Sequence, residues 1–253
     1  MTSETITPDA PVADMLATTT SCPSFIDLRA LFAGVRHNAS AEPYLGNRTI
    51  LSLRGGPVEV GSICLPAGRG KVDQVAGDEF VIVADGAVTF TRDGQTVELT
   101  EGQCCVFTDG VGFRWSAREE ARLIYMRYVN GTGAEARLVP VDVQANLAPS
   151  GAPLAELLVG PTPQCRNHTD YLSADGEFMA GVWDSTPYHR RAMPYRHFEL
   201  MYLLQGSVTF VDELGREGTF SKGDIFLIEQ HAQCSWESRE DVAKVYAIYR
   251  PAA

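Results

Sequence analysis

The chain has 253 residues, enough for one large domain or two modest ones, each able to bury a core. Hydrophobic residues make up 45% and charged residues 21%, values typical of a globular protein and too apolar for a disordered one. The formal net charge of −11 disfavours nucleic acid and anionic membrane surfaces as partners. No stretch approaches the roughly 18 apolar residues of a membrane-spanning helix, and the first residues lack a signal-peptide pattern. We therefore expect a cytoplasmic protein.

The beginning of the chain and its centre differ in composition from the rest. Residues 1–44 open with a stretch rich in Thr, Pro and Ser, which predicts a partly disordered head. Residues 131–163 are rich in Pro and Gly and are predicted to be a linker. Helical periodicity is weak, and it favours only two short helices, at 24–35 and at 152–159.

The remaining sequence is an internal repeat. The second copy follows the first at a spacing of 120 residues, which becomes 121 after a hairpin turn. We therefore predict two copies of one fold, at 45–130 and at 164–253. The matching positions include Gly61 with Gly181, Glu79 with Glu199, Gly86 with Gly206, Trp115 with Trp236 and Tyr125 with Tyr246.

Each copy consists of short segments rich in Val, Ile, Phe and Tyr, separated by turn residues such as Asp93-Gly94 and Leu214-Gly215. Alternating apolar segments of this length predict β-strands, and the short turns between them predict antiparallel pairing. The expected fold class is therefore all-β.

The motifs of each copy resemble those of the cupin superfamily. A Glu is separated by six residues from a Gly, as in Glu79 to Gly86 and Glu199 to Gly206, and a second Gly follows at the start of a later strand. The segments that begin at Trp115 and Trp236 are similar to the small-cupin group that includes the ethanolamine-utilisation cupin and (S)-ureidoglycine aminohydrolase. The resemblance implies two tandem cupin jelly-roll (RmlC-like) β-barrels in one chain, that is, a bicupin.

The resemblance also raises the question of a metal. In metal-binding cupins the first motif supplies two His and a Glu, and the second motif supplies a third His. The first copy has Asp73, Val75 and Glu79 at the first-motif positions and Phe113 at the last. This copy cannot build such a site, so we predict a structural barrel at 45–130.

The second copy keeps more polar groups at these positions. Met193, Tyr195 and Glu199 occupy the first motif, and Cys234 the second. Alternation along a strand also directs His197 to the face of Tyr195 and Glu199, so the three side chains are predicted to share the barrel lumen. His197, Glu199 and Cys234 could hold a divalent ion such as Mn, Ni, Zn or Fe. The alternative is a polar lumen without an ion, in which His197 is hydrogen-bonded to Glu199 or Tyr195.

Candidate ligand-binding residues also concentrate in the second copy. Arg190, Arg191 and Arg196 belong to a basic run in an otherwise acidic chain, and at a barrel mouth they could bind a small carboxylate or phosphate; the alternative is a solvated loop. Trp183 breaks the symmetry of the repeat and is a candidate ligand contact, whereas Trp236 is interpreted as packing.

Three functions remain open at this point. The first is a bicupin that binds a small polar metabolite, with an anionic metabolite as one option, in the second barrel through Trp183, Arg190, Arg196 and Cys234. The second is a metal-dependent, aminohydrolase-like enzyme of small nitrogenous metabolites. The third is acid–base catalysis without a metal by His197 with Tyr195. Across these hypotheses the candidate catalytic residues are His197, Glu199 and Tyr195. A homodimer formed through sheet edges and a monomer are both compatible with the sequence.

Overall fold

The computed structural model describes residues 24–36, 40–53, 55–131 and 135–252. Two β-barrels follow each other in the chain, each built from one large and one small sheet with antiparallel neighbours. Most of the predicted head, residues 1–23, lies outside the described part of the chain. No helix in the described part is long and apolar enough to cross a membrane.

The first barrel pairs a six-stranded sheet with a four-stranded one. The strands are β2 (Arg48–Ile50), β3 (Val58–Leu65), β4 (Gly68–Val72), β5 (Asp78–Asp85), β6 (Ala87–Arg92), β7 (Gln95–Thr100), β8 (Cys104–Phe107), β9 (Phe113–Ala117), β10 (Ala121–Tyr128) and β11 (Leu138–Pro140). The large sheet has the order β11-β8-β5-β10-β3-β2, and the small sheet has the order β4-β9-β6-β7.

The second barrel repeats this plan with one additional strand. The strands are β1 (Phe25–Asp27), β12 (Ala148–Ser150), β13 (Cys165–Leu172), β14 (Phe178–Ser185), β15 (Tyr188–Pro194), β16 (Phe198–Gln205), β17 (Ser207–Val211), β18 (Glu217–Ser221), β19 (Ile225–Ile228), β20 (Gln233–Ser238) and β21 (Val242–Tyr249). The large sheet has the order β1-β19-β16-β21-β14-β13-β12, and the small sheet has the order β15-β20-β17-β18.

Segments outside the repeats complete the edges of the large sheets. Strand β11, from the predicted linker, pairs with β8 of the first barrel. Strand β1, from the predicted head, pairs with β19 at the corresponding edge of the second barrel. The head therefore crosses to the distant copy and shields its edge strand, which would otherwise present unpaired backbone groups.

The largest apolar core lies between the barrels rather than inside either of them. The outer faces of the two large sheets pack against each other, and the short helix α1 (Leu28–Phe32) adds two side chains to the same core. The barrels therefore share one buried interface, and the lumen of each barrel lies on the other face of its large sheet. The contributing side chains include Val60, Phe80, Ile124 and Met126 from the first barrel and Phe178, Leu200, Leu227 and Val245 from the second.

The predicted helices are shorter in the structure. Helix α1 covers only Leu28–Phe32 of the predicted 24–35, because the preceding residues pair with β19 and the Asp27 side chain caps the helix by accepting from the Ala30 amide at 2.8 Å. Only a 3-10 turn at Ala155–Leu157 forms within the predicted 152–159. A second short helix, α2 (Pro43–Gly46), was not predicted; the Glu42 carboxylate caps it.

Candidate functional site

The lumen of the second barrel contains a buried ion pair. Glu199 lies on β16 and Lys244 on β21, and these neighbouring strands place the Lys244 Nζ 2.8 Å from the Glu199 Oε1. Both side chains are 8% exposed. The Nε2–H of His197 donates to the other carboxylate oxygen, Oε2, at 3.3 Å. Glu199 is thus bound on both oxygens, and the predicted neighbourhood of His197 and Glu199 forms.

The ammonium of Lys244 is enclosed by further groups of the lumen. Its Nζ lies 4.8 Å from the ring centroid of Trp183 and 5.1 Å from that of Trp236. The Met201 Sδ is 3.2 Å away. Aromatic faces attract cations, so the two indoles and the carboxylate stabilise the same charge.

Lys244 was missed as a site residue by sequence reasoning, although a signal for it exists. On β21 the side chains of Val242, Lys244 and Tyr246 alternate with residues of the inter-barrel core, so Lys244 lies at an inward position. The first copy has Leu123 at the equivalent position. A charged residue at an inward position where the other copy is apolar is informative, because burying a charge requires a partner.

The charges around Glu199 determine its ionisation. Burial by itself would raise the pKa of this carboxyl, but the Lys244 charge and the hydrogen bonds from His197 and Lys244 outweigh burial and hold the pKa well below its ordinary value. Glu199 therefore remains a carboxylate throughout the neutral range and does not serve as a proton acceptor there.

Arg190 enters the same barrel from β15. Its Nη2 donates to the Tyr195 hydroxyl at 3.2 Å and to the Cys234 carbonyl at 3.1 Å, and the guanidinium lies 4.9 Å from the Tyr195 ring centroid. The residue is only 8% exposed. Its Nε is buried without a hydrogen-bond partner, and no carboxylate of the described residues pairs with it.

The predicted arginine cluster does not assemble. Arg191 and Arg196 are exposed, whereas Arg190 is buried. A bulge in the pairing of β15 with β20 between Arg190 and Met193 alters the strand alternation at this point, and Arg196 lies in the bend after β15. The exposure of Arg191 and Arg196 agrees with the alternative of a solvated loop, and of the three arginines Arg190 alone is buried in the barrel.

Aromatic side chains line the lumen between Lys244 and Arg190. Trp183 is half-buried and meets Trp236 edge to face at 5.9 Å, and Tyr188 stacks on Trp236 at 5.5 Å. Tyr195 is buried, and its ring lies 5.3 Å from that of His197. Burial raises the pKa of Tyr195, so it remains a neutral phenol.

The first barrel is closed by its own side chains. Helix α2 inserts Tyr44, whose hydroxyl donates to Glu79 at 2.6 Å, and Arg48 binds both oxygens of the same carboxylate at 2.6 and 3.0 Å. Three phenylalanines pack around the Tyr44 ring. All of these aromatic residues are buried, so this lumen is a packed core. The phenylalanines are Phe90, Phe107 and Phe113.

The family resemblance makes a divalent metal a reasonable candidate for the second barrel, but the residues present do not fit one. The ammonium of Lys244 already binds the carboxylate that would be a ligand. Cys234 is fully buried and belongs to an apolar cluster with Phe210, Phe226 and Trp236. Within the described ranges, no three His, Cys, Asp or Glu side chains converge in a way that could hold an ion. The proposed ligand set His197, Glu199 and Cys234 therefore does not assemble.

Two family models match the two copies. A model described as an EutQ-like cupin domain matches residues 172–246, and one described as a cupin domain matches residues 64–127. No curated protein matches the sequence. Each match lies within one of the two barrels of the structure.

Solved structures share the two-barrel architecture. A protein of unknown function from Pseudomonas syringae pv. tomato, assigned to the DUF861 family, is 27% identical with a TM-score of 0.80, covering 89% of this chain and 99% of its own. The protein Ylba from E. coli, also of DUF861, is 14% identical with a TM-score of 0.56 and coverages of 94% and 98%. A cupin 2 conserved barrel domain protein from Leptotrichia buccalis is 11% identical with a TM-score of 0.54 and coverages of 92% and 99%. The last two similarities show the fold alone.

These matches agree with the duplicated barrels of the structure. The chain belongs to the cupin family as a two-domain cupin, and its second domain is EutQ-like.

Proposed function

We propose that the protein binds a small polar metabolite in the second barrel, through an anionic group held by Arg190, while the first barrel is structural. The buried guanidinium of Arg190 carries this proposal. It is 8% exposed, has an unpartnered Nε and forms no ion pair with the described carboxylates. An arginine remains charged at all physiological pH values, and a buried charge without a counter-ion is costly.

The chemistry of a guanidinium indicates the class of ligand. Carboxylate and phosphate oxygens match its fork of N–H donors, and such charge-assisted hydrogen bonds are stronger than neutral ones. Nη2 is already used by Tyr195 and Cys234, so the Nε–H and the Nη1–H donors remain for a ligand. A small carboxylate can accept from these donors and needs less space in the lumen than a bulky phosphate ester.

A comparison with the first barrel supports a binding role for the second barrel and a structural role for the first. In the small sheets, Arg190 is opposite Trp236, and Gly70 is opposite Trp115 at the equivalent position. A Cβ at Gly70 would lie 2.5 Å from the Trp115 Nε1, so that position has no room for a side chain. The first barrel thus lacks the cation and is filled by Tyr44 and its aromatic neighbours.

Other predicted site residues would act around this anion contact. Trp183 supplies a half-buried aromatic wall, and the His197 imidazole lies 3.3 Å from Glu199. Because Tyr195 remains a neutral phenol, it would donate a hydrogen bond and would not act as a base. If the protein catalyses an acid–base reaction, we propose His197 as the proton carrier.

The proposal is tested by comparing the binding of charged and uncharged small ligands to variants of a buried and an exposed arginine. Wild-type protein, Arg190→Ala and Arg191→Ala would be titrated calorimetrically with acetate, oxalate and malonate, and with acetamide as the uncharged counterpart of acetate. Arg191 is the exposed neighbour on the same strand and controls for loss of a positive charge. A charged hydrogen bond contributes about 1.5–3 kcal/mol, so we expect Arg190→Ala to weaken carboxylate binding at least about tenfold.

Two results would contradict the proposal: no carboxylate binds the wild-type protein, or Arg190→Ala binds as tightly as Arg191→Ala. A thermal melt of each variant separates loss of the contact from loss of the fold. Preferential binding of inorganic phosphate over all carboxylates would retain the anion site and reject the carboxylate class.

A further inference from the structure

The motif glutamates of both barrels are paired with a side-chain cation. Glu199 binds Lys244 in the second barrel, and Glu79 binds Arg48 in the first. All four side chains are at most 8% exposed. These glutamates occupy the position that supplies the acidic metal ligand in metal-binding cupins. In both barrels, therefore, a cation belonging to the chain is bound to the carboxylate that would otherwise bind an ion.

The two pairs are built from different strands. Arg48 comes from β2, whereas Lys244 comes from β21. At the repeat position of Arg48 the second copy has His168, and at that of Lys244 the first copy has Leu123. The shared feature is thus the pairing itself and not one inherited cationic residue. This independence indicates that each buried glutamate requires a positive charge and that the chain supplies it.

We infer that Lys244 is a built-in cation that replaces the divalent ion at the acidic ligand of the second barrel, so that this site works without a metal. This inference goes beyond the proposed function, because it concerns the neighbouring charge centre and not the Arg190 contact.

The surroundings of the Lys244 Nζ suit an ammonium and not a divalent ion. The Nζ has one carboxylate oxygen at 2.8 Å, a thioether sulfur at 3.2 Å and two indole faces at about 5 Å. Indole faces attract large, weakly hydrated cations such as ammonium groups. A divalent ion of the first transition series needs several nitrogen, oxygen or thiolate donors, and here only Glu199 and His197 come together among the described residues.

Removal of the Lys244 side chain should convert the internal cation into a site for an external one. In Lys244→Ala, Glu199 is left buried beside the two indoles, so ethylammonium chloride should raise the melting temperature in a saturable manner. Tetramethylammonium chloride at the same ionic strength should not, because it cannot donate a hydrogen bond to Glu199. The double variant Lys244→Ala/Glu199→Gln should lose the response to ethylammonium. Arg166→Ala, which breaks an exposed pair with Asp184, is the matched control and should show no such response.

A second experiment, on the wild-type protein, does not depend on the Lys244 variants. Titration with Mn²⁺, Ni²⁺ and Zn²⁺, followed by dialysis and metal analysis, should leave no stoichiometric ion. One equivalent of a divalent ion that is lost in Glu199→Gln would overturn the inference. Failure of ethylammonium to stabilise folded Lys244→Ala would also overturn it. If Lys244→Ala does not fold, the metal content of wild-type protein and Glu199→Gln decides. Arg190→Ala separates the two claims, because it should abolish carboxylate binding and leave the metal result unchanged.

Discussion

Replacement of Lys244 by Met should strongly destabilise the protein. The change preserves most of the volume and apolar contact of the side chain but removes the charge that faces Glu199, while both partners are 8% exposed. Removing one partner of a buried ion pair costs about 3–5 kcal/mol, because the other charge remains buried without compensation. For a chain of about 150–250 residues, 1 kcal/mol corresponds to roughly 2–4 °C. We therefore expect the melting temperature to fall by roughly 6–20 °C at neutral pH.

The loss should depend on pH in a defined direction. In the wild-type protein the folded pKa of Glu199 lies well below its ordinary value, so the pair contributes stability above the unfolded pKa of about 4.3. This contribution disappears as the pH falls towards the folded pKa. In Lys244→Met, burial raises the pKa of Glu199, so protonation relieves the buried charge at mildly acidic pH. The difference in melting temperature should therefore shrink between pH 7 and pH 4.

Differential scanning fluorimetry across this pH range provides the measurement. Arg166→Met is the matched control, because it breaks the exposed pair with Asp184, and we expect it to cost no more than about 1 kcal/mol at any pH. The double variant Lys244→Met/Glu199→Met should recover most of the loss, since apolar pairs often replace buried ion pairs at little cost. A fall for Lys244→Met no larger than that for Arg166→Met, or a fall that is independent of pH, would refute the electrostatic argument.

Three further predictions concern the two lumens. Tyr44→Ala should destabilise the first barrel by about 3–5 kcal/mol, measured by thermal unfolding, and leave carboxylate binding unchanged, because Tyr44 fills a core; altered ligand affinity would show that the first barrel takes part in binding. Gly181→Ala should destabilise by about 1–3 kcal/mol in the same assay, since its Cβ would lie 2.0 Å from the His168 carbonyl oxygen, and an unchanged melt would contradict the close approach. His197→Ala should fold and melt within a few degrees of the wild type, because the His197 side chain is 14% exposed and makes a single long hydrogen bond, to Glu199; loss of soluble protein would show that it is part of the core.

The two-barrel architecture could be predicted from the sequence because the duplication produces an internal repeat. Residues equivalent in the repeat, such as Gly61 and Gly181, occupy equivalent strands, and a Cβ at either would meet a carbonyl oxygen at 2.3 or 2.0 Å. Such backbone constraints act on both copies, so both copies have the same residue type at these positions. Strand β1 could not be predicted from the sequence. A three-residue strand at a sheet edge is determined by its pairing with β19 and not by its own sequence pattern.

The site could be predicted only in part. The predicted proximity of His197 to Glu199 forms, although His197 lies in the bend before β16 and not on the strand from which the prediction was made. The position of Lys244 beside Glu199 depends on the pairing of two neighbouring strands, and the separation of buried Arg190 from the exposed arginines depends on a bulge. Neither feature can be predicted from a single segment of sequence. The metal ligand set failed for the same reason: Cys234 is on a strand of the other sheet and contributes to apolar packing.

The Nε–H of Arg190 is the most direct reporter of the proposed ligand contact, because it is buried and has no partner in the protein. Its resonance in a 15N-correlated NMR spectrum can be assigned by its loss in Arg190→Lys and followed during a malonate titration, with the Nε–H of exposed Arg191 as the internal control. The account predicts a saturable shift of the Arg190 signal with the dissociation constant found by calorimetry, and no shift of the Arg191 signal. Malonate binding that leaves the Arg190 signal in place would contradict it.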